Sequence, residues 1–579
     1  MNELELKRPS LRLILVKSSL IAIFAFLPYV PGLNNQFILD DNELILDNPQ
    51  VRGNKPIREI FLSPFWEPAP KRMNYYRPIV ILTYRFDYWL WKTRASGYHL
   101  SNFFIHSLVS VLSFILFKRL CRDEWVSLLS ALLFAIHPAH TQSVCWISGR
   151  TDLLAALFGL SSFYFYIQFK YSANKFRWGW LCLCLFFLAL GFLSKESALI
   201  FPVLFILWDL TRDKKGGDLF KRTSLIPYLG MFVEILAYLG IRFKVLGNIF
   251  ASKDASLIYG WYSGGQTDPS RIITVVKIIS YYIQTLLYPI HLAFESKLLV
   301  SHSWFETEVI GNALLLMGFI ALILISLSRY PFLSFGGIWF LLFLVPVLNI
   351  FPINHLVMEH FLYIPSIGFC LFFSVLAMIA RLSISRTRPV IIHFTAIIMI
   401  LFFFLVLTIN RQSAWKDQMT IYQDMVMKAP KRVRSWFLLG NELNRRGDKL
   451  GAMRAWIQAC KLDASAPENH IALAGVLLEI GRLDEGINEL KFALNLDPDN
   501  IIAHYNLGIA YELKGETELA NVEYQKALGS CGDDFKQLLN LGTIAIKAGK
   551  CELAYKVMTK MGNQAPERFI GLFWQRCPR

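Results

Sequence analysis

Two carboxylates stand side by side at Asp40 and Asp41, within FILDDNELILDN (37–48), a few residues after an apolar run long enough to cross a bilayer. Adjacent carboxylates in a partly desolvated cleft acquire split proton affinities, so one can accept a proton while its neighbour orients a substrate. The same pair can instead cap the outer end of the first apolar run or hold its loop. Asp47 and Asn48, followed by a proline, have the chemistry of turn formers.

Other chemistry-bearing residues recur at the ends of apolar runs. YYRPIVILTYRFDYWLW (75–91) sets Arg77 and Arg85 among aromatics, and Tyr88, Trp89 and Trp91 suit a helix at the membrane interface. HPAHTQS (137–143) carries His137 and His140. Without a carboxylate or cysteine beside them they make a poor metal site and a better set of hydrogen-bond partners for a polar ligand. SGRTD supplies Arg150 and Asp152, and SKE supplies Lys195 and Glu196. Each is either a structural ion pair or, on its cationic side, what a lipid phosphate needs at the membrane boundary. The nine cysteines show no CxxC or metal spacing, and Cys182 and Cys184 fall inside an apolar run, so they indicate no compartment. No cofactor is called for by these residues, and a divalent cation stays open.

The elements that must position these groups are membrane helices. At 54% apolar and 15% aromatic, a chain of 579 residues is too hydrophobic for a soluble protein. The net charge of +16 does not signal nucleic acid: residues 431–579 hold 20 Lys/Arg against 18 Asp/Glu, so the excess surrounds the apolar runs, and no basic aromatic cluster accompanies it. Spans are expected at roughly 13–30, 100–118, 125–143, 151–169, 178–194, 196–210, 224–242, 309–327, 332–350, 361–380 and 390–409. The basic connections at 118–124, 170–177, 211–222 and 381–388, with Lys7, Arg8 and Arg12, mark the cytoplasmic side. The acids, 137–150, 194–197 and 352–360 then fall on the opposite face. Residues 271–292 contain Arg271 and Lys277 and read best as an interfacial or re-entrant helix, which gives about eleven spans and puts the C-terminal tail outside.

That tail is periodic. Gly440, Ala474, Gly508 and Gly542 recur every 34 residues, as do Gly447, Gly481, Gly515 and Gly549, and Ala452, Gly486, Ala520 and Ala554. Trp456, Leu490, Tyr524 and Met558 supply bulk at the same period. About four tetratricopeptide repeats over 431–579 follow, an α-solenoid suited to holding an extended peptide. The expected fold is all-α: a polytopic membrane bundle over 1–410 with an outer loop at 32–99, a linker at 411–430, then the repeats.

The acidic pair, YRP, GYHLSNFFIH (97–106), HPAHTQSVCWISGRTDLLAALF (137–158), LSKESALIFP (193–202), MEHFLYIPSIG (358–368) and the repeats, in that order, resemble the transmembrane and tetratricopeptide repeat-containing (TMTC-like) family over nearly the whole chain. The resemblance implies a glycosyltransferase of the GT-C fold that moves a sugar, mannose by analogy, from a polyprenyl-phosphate lipid to a protein hydroxyl on the outer or lumenal face. It maps the first-loop acids onto Asp41 and Asp40. Two positions depart from the family pattern: Gln142 stands where an acid is usual, and His360 where an arginine is usual.

The residues support such chemistry directly. A serine or threonine hydroxyl needs a positioned base, which an aspartate supplies. The departing lipid phosphate needs cations, for which Arg85, Arg150, Lys195 and Arg242 are candidates. Arg77, His137, His140, Gln142, Glu196, Glu359 and His360 are candidates for sugar or acceptor contacts. No DxD site or Gly-rich phosphate loop suggests a nucleotide donor. The rival reading is a non-catalytic, membrane-anchored scaffold whose repeats gather secreted partners; a transporter would place its ionisable groups at mid-bilayer instead.

Overall fold

Apolar segments become helices because a backbone amide in lipid has no water to satisfy it. The computed structural model describes residues 11–66, 75–172, 175–212, 222–247, 270–296, 298, 301–350, 356–383 and 387–577, and among them every regular element is helical. The chain divides into two compact units, Met1–Asp424 and Met425–Arg579.

In the first unit the helices are α1 (Leu11–Phe26), α2 (Ile57–Ile60), α3 (Pro78–Trp91), α4 (Ala95–Cys121), α5 (Glu124–Ala135), α6 (Thr141–Cys145), α7 (Arg150–Tyr171), α8 (Arg177–Phe192), α9 (Phe201–Arg212), α10 (Arg222–Leu246), α11 (Ser270–Leu287), α12 (Thr307–Ser326), α13 (Pro331–Leu344), α14 (Tyr363–Leu382) and α15 (Thr387–Arg411), with α16 (Gln418–Lys428) running into the second. Six helical stretches among the described residues are long and apolar enough to cross a membrane, and α5, α8 and Pro331–Val347 are shorter apolar helices. The protein is thus a multi-pass membrane protein. Helix α11 is not among the six; its Lys277 ammonium donates to Ser301 Oγ at 2.8 Å and pairs with Glu308 at 2.9 Å. Helices α13 and α14 meet at a glycine contact, where a Cβ on Gly336 would lie 2.7 Å from the Gly368 carbonyl oxygen. Small residues allow this close approach, which dispersion then stabilises.

The span expected at 125–143 is shorter than its sequence suggests. Pro138 forces His137 into an extended conformation, so α5 stops at Ala135 and residues 136–149 continue as short turns. Irregular backbone in a membrane protein is tolerated only where protein covers it, and residues 136–149 are all buried. The stretch expected as a linker at 411–430 is largely helical, with Gln412–Trp415 forming a 3-10 turn ahead of α16. Lys7, Arg8, most of the basic loop at 211–222, residues 173–174 and 384–386 of two other basic connections, and 352–355 lie outside the described residues.

The second unit pairs α17 (Val433–Arg445) with α18 (Lys449–Leu462), α19 (Pro467–Glu479) with α20 (Leu483–Leu496), α21 (Ile501–Leu513) with α22 (Thr517–Ser530) and α23 (Phe535–Lys547) with α24 (Cys551–Met561), followed by α25 (Glu567–Arg576). The glycine register at 447, 481, 515 and 549 has φ between 71° and 87°, the left-handed turn that joins the helices of each pair. In the other glycine register, a Cβ on Gly508 would stand 2.5 Å from the Tyr524 ring, because the two helices approach there without a side chain between them. Gly508→Val therefore lowers the unfolding free energy of a 425–579 fragment by about 1–3 kcal/mol, measured by urea titration; an unchanged midpoint would mean that the pair has room to spare. A disulfide joins Cys551 to Cys577, tying the end of α25 to the start of α24.

Candidate active site

The site is organised by residues 142–152, the buried turn and first helical residues that follow the Pro138 break. Helix α4 fixes the backbone of this segment: Asn102 Nδ2 donates to the carbonyls of Val144, Trp146 and Ile147 at 3.3–3.4 Å. Tyr84 of α3 donates to the Ile147 carbonyl at 3.1 Å. From this spine Gln142, Ser148, Arg150 and Asp152 reach His360, Asp41, Asp87 and Lys195 in turn.

Asp41 is fully buried. Its Oδ1 accepts from the Ser148 amide at 2.9 Å and the Ser148 hydroxyl at 2.5 Å, and its Oδ2 accepts from the Ile38 amide at 3.1 Å. Burial pushes the carboxyl up to about 7; the three donors oppose this, and the charge of Asp40 adds a smaller push. Asp40 is half-buried, and its carbonyl accepts from the Leu44 amide at 2.9 Å. Its charge also acts on Tyr75, and the Arg77 guanidinium lies 4.2 Å from the Tyr75 ring centre. Asp40 and Arg77 therefore act on the same tyrosine.

From Arg77 the cations continue. Arg77 donates to Glu196 Oε2 through Nε at 3.1 Å and Nη2 at 2.8 Å, and Arg242 donates to Glu196 Oε1 at 2.8 Å. Lys195 pairs with Asp152 at 2.6 Å and lies 5.8 Å from the Phe361 ring centre. Arg77, Arg242 and Lys195 thus gather around Glu196 and Asp152, the three cationic side chains being 7–11% exposed. Clustered cations at low solvent access suit an anionic group.

The remaining candidates are Gln142, His360, Glu359, His137 and His140. Gln142 Oε1 accepts from the His360 amide at 2.9 Å, and the His360 ring lies edge-on to Trp146 at 5.9 Å. Glu359 is buried beside it at 2% exposure. His137 Nδ1 accepts from the Ala139 amide while Nε2 lies 3.0 Å from the Leu286 carbonyl; His140 Nε2 is 2.8 Å from Ser366 Oγ. Both histidines are thus bonded to protein groups that anchor the turn. Among the described residues no three His, Cys, Asp or Glu side chains group closely enough to hold a metal ion.

Two sequence candidates lie elsewhere in the network. Arg150 is 1% exposed; it pairs with Asp87 at 2.6 Å and donates to Asn102 Oδ1 at 2.7 Å and to the Tyr98 carbonyl at 3.0 Å. Arg85 donates to the Lys55 carbonyl at 2.6 Å, bracing the segment between α1 and α3. The residues that sequence reasoning passed over are Ser148, Asn102 and Asp87. They lie in the motif segments 137–158, 97–106 and 75–91, but their types are ordinary in membrane helices and carried no spacing signal.

The profile of the dolichyl-phosphate-mannose-protein mannosyltransferase family matches residues 83–252, and that of a TPR repeat matches 475–515. The chain is 24% identical over 567 residues to the mouse protein O-mannosyl-transferase TMTC3, covering 89% of this chain and 60% of that protein. It is 25% identical over 465 residues to Caenorhabditis elegans protein O-mannosyl-transferase F38B6.6, covering 78% and 63%, and 26% identical over 490 residues to human TMTC4, covering 74% and 64%. The chain spans about three fifths of the length of these curated relatives. Among solved structures, ArnT from Cupriavidus metallidurans bound to undecaprenyl phosphate aligns with 92% of this chain and 81% of its own, at 13% identity and a TM-score of 0.33.

Proposed function

We propose that this chain, which resembles the transmembrane and tetratricopeptide repeat-containing (TMTC-like) family, is an integral-membrane glycosyltransferase. The donor is a polyprenyl-phosphate-linked sugar, mannose by the names of its relatives, and the acceptor is a hydroxyl of a protein held by the repeats. The observation that carries this reading is the fully buried Asp41, fixed by Ser148 and Ile38 and next in sequence to Asp40, whose charge acts on the tyrosine that Arg77 covers.

Asp41 takes the proton from the acceptor hydroxyl as its oxygen bonds to the sugar carbon. The bond from that carbon to the lipid phosphate oxygen breaks through an oxocarbenium-like transition state, and the lipid phosphate leaves with the bonding pair. Arg77, Arg242 and Lys195 meet the growing phosphate charge, with Glu196 and Asp152 spacing them. His360 and Glu359, on the turn that Gln142 holds, are assigned to the sugar. His137, His140, Arg150 and Arg85 are assigned to holding the site's frame. The repeats are placed on the outer or lumenal face, with the N-terminus in the cytoplasm. The Cys551–Cys577 disulfide supports that placement, since disulfides persist in oxidising compartments.

Titration of a polyprenyl-phosphate mannose into the purified full chain tests the proposal. Saturable binding is expected, and no binding with mannose or any other sugar tried would overturn it. The base must be unprotonated to act, so transfer is expected to rise with pH through about 7. Asp40→Asn removes the neighbouring charge that raises the Asp41 carboxyl, so it moves this midpoint to lower pH. A pH–rate profile with no ionisation near 7, or one that Asp40→Asn moves upward, would exclude Asp41 as the base.

A further inference from the structure

The turn that aims Asp41 contains a residue in an unfavourable conformation. Leu39 has φ of 52°, the left-handed region that a leucine seldom enters. It lies between Ile38, whose amide donates to the Asp41 carboxylate and whose carbonyl accepts from the Asp41 amide at 3.0 Å, and Asp40. If Leu39 relaxed to an ordinary φ, the 38–41 turn would open and the carboxylate would leave Ser148. Such a conformation persists only where its surroundings over-determine it.

The surroundings come from the far end of the same unit. The Leu39 amide donates to Gln418 Oε1 at 2.8 Å, and the Gln418 amide nitrogen donates to the Tyr422 hydroxyl, which fixes the orientation of the Gln418 side chain. Three more bonds run in parallel. The Gln36 amide donates to the Lys416 carbonyl at 2.9 Å, the Gly32 amide donates to Gln412 Oε1 at 3.1 Å, and Gln412 Nε2 donates to the Pro28 carbonyl. Arg411 grips both carboxylate oxygens of Asp424 at 2.7 Å, which braces the 411–424 segment against itself. A stretch whose sequence reads as a spacer is therefore built into the loop that bears the acids.

We propose that Gln418 is a positioning residue for Asp41: by accepting from the Leu39 amide it holds the left-handed turn that presents the Asp41 carboxylate to Ser148 and to the acceptor hydroxyl. This rests on the transferase reading, and it extends that reading to a residue beyond the last membrane span. It requires no contact between Gln418 and either substrate, so the expected defect lies in turnover and leaves donor binding alone.

The test uses the full chain in lipid nanodiscs with polyprenyl-phosphate mannose. In Gln418→Leu, hydrogen exchange of the 36–41 segment is expected to rise about 10-fold or more, and turnover to fall roughly 10- to 100-fold, with the donor KM within about twofold of wild type. Gln418→Glu keeps an acceptor oxygen and is expected to keep both the protection and most of the turnover. Leu39→Asn, which tolerates the left-handed conformation, is expected to recover part of the turnover lost in Gln418→Leu. Unchanged exchange in Gln418→Leu, unchanged turnover despite faster exchange, or equal loss of donor binding and turnover would each overturn the proposal. A wild-type chain that turns over no donor would overturn the transferase reading, while the exchange comparison would still decide whether Gln418 holds the turn.

Discussion

Asp41→Asn is expected to lower sugar transfer by about 10²–10⁴-fold while donor affinity stays at the wild-type value. The asparagine keeps the size of the side chain and can still accept from Ser148, but it has no basic oxygen to receive the acceptor proton. Its amide nitrogen would face the Ile38 amide, donor against donor, so one of the three hydrogen bonds is exchanged for a mismatch. The change should not be confused with unfolding. The native carboxyl ionises near 7 in the fold against about 3.9 in an unfolded chain, so its contribution to stability is complete below that lower value and is lost as pH rises through about 7. Asparagine has no such loss, and the variant should melt no lower than wild type at alkaline pH. Retention of wild-type transfer by both Asp41→Asn and Asp40→Asn would return the pair to a loop-holding role.

Arg150→Met is expected to act in the opposite way, removing folded protein before it removes any particular step. The guanidinium is 1% exposed and its partner Asp87 is 2% exposed, and losing one member leaves the other as an uncompensated buried charge. Breaking such a pair costs about 3–5 kcal/mol. Asn102 would lose its partner at the same time, and with it part of the hold on residues 144–147. Lysine is no substitute, because one ammonium cannot match a fork that reaches Asp87, Asn102 and the Tyr98 carbonyl together. The double variant Arg150→Met, Asp87→Leu should recover most of the loss, since an apolar pair can replace a buried ionic one. Thermal melts of the purified chain decide this. A variant that melted normally and lost only donor binding would place Arg150 on the lipid phosphate.

The ion pairs show what the sequence disclosed and what it withheld. Apolar runs, a 34-residue period and the order of polar motifs were legible, because helical spans and stacked repeats each impose a regular demand on residue type. The ion pairing was not. SGRTD and SKE invite pairing of Arg150 with Asp152 and of Lys195 with Glu196, whereas the fold crosses them: Lys195 with Asp152, Arg77 and Arg242 with Glu196, and Arg150 with Asp87. Residues one or two apart on a helix point in different directions, so near neighbours in sequence are poor partners. The Cys551–Cys577 bond had no motif to announce it, and Gln412 and Gln418 looked like linker residues because their partners Gly32 and Leu39 lie 380 and 379 residues earlier. Pro138, by contrast, was a readable stop that the apolar run around it concealed.

The bonds between residues 28–39 and 412–418 also impose an order on biosynthesis. Their partners are separated by about 380 residues, so at roughly 5–20 residues per second the segment that bears the acids waits about 20–80 s after its own emergence before the segment that fixes it exists. Contacts of such high sequence separation form last. The acidic loop is thus unassembled while every intervening helix is being inserted, and a nascent or prematurely terminated chain carries its carboxylates without the geometry to use them. Emergence of residues 412–418, past the end of α15, is the event that closes the loop.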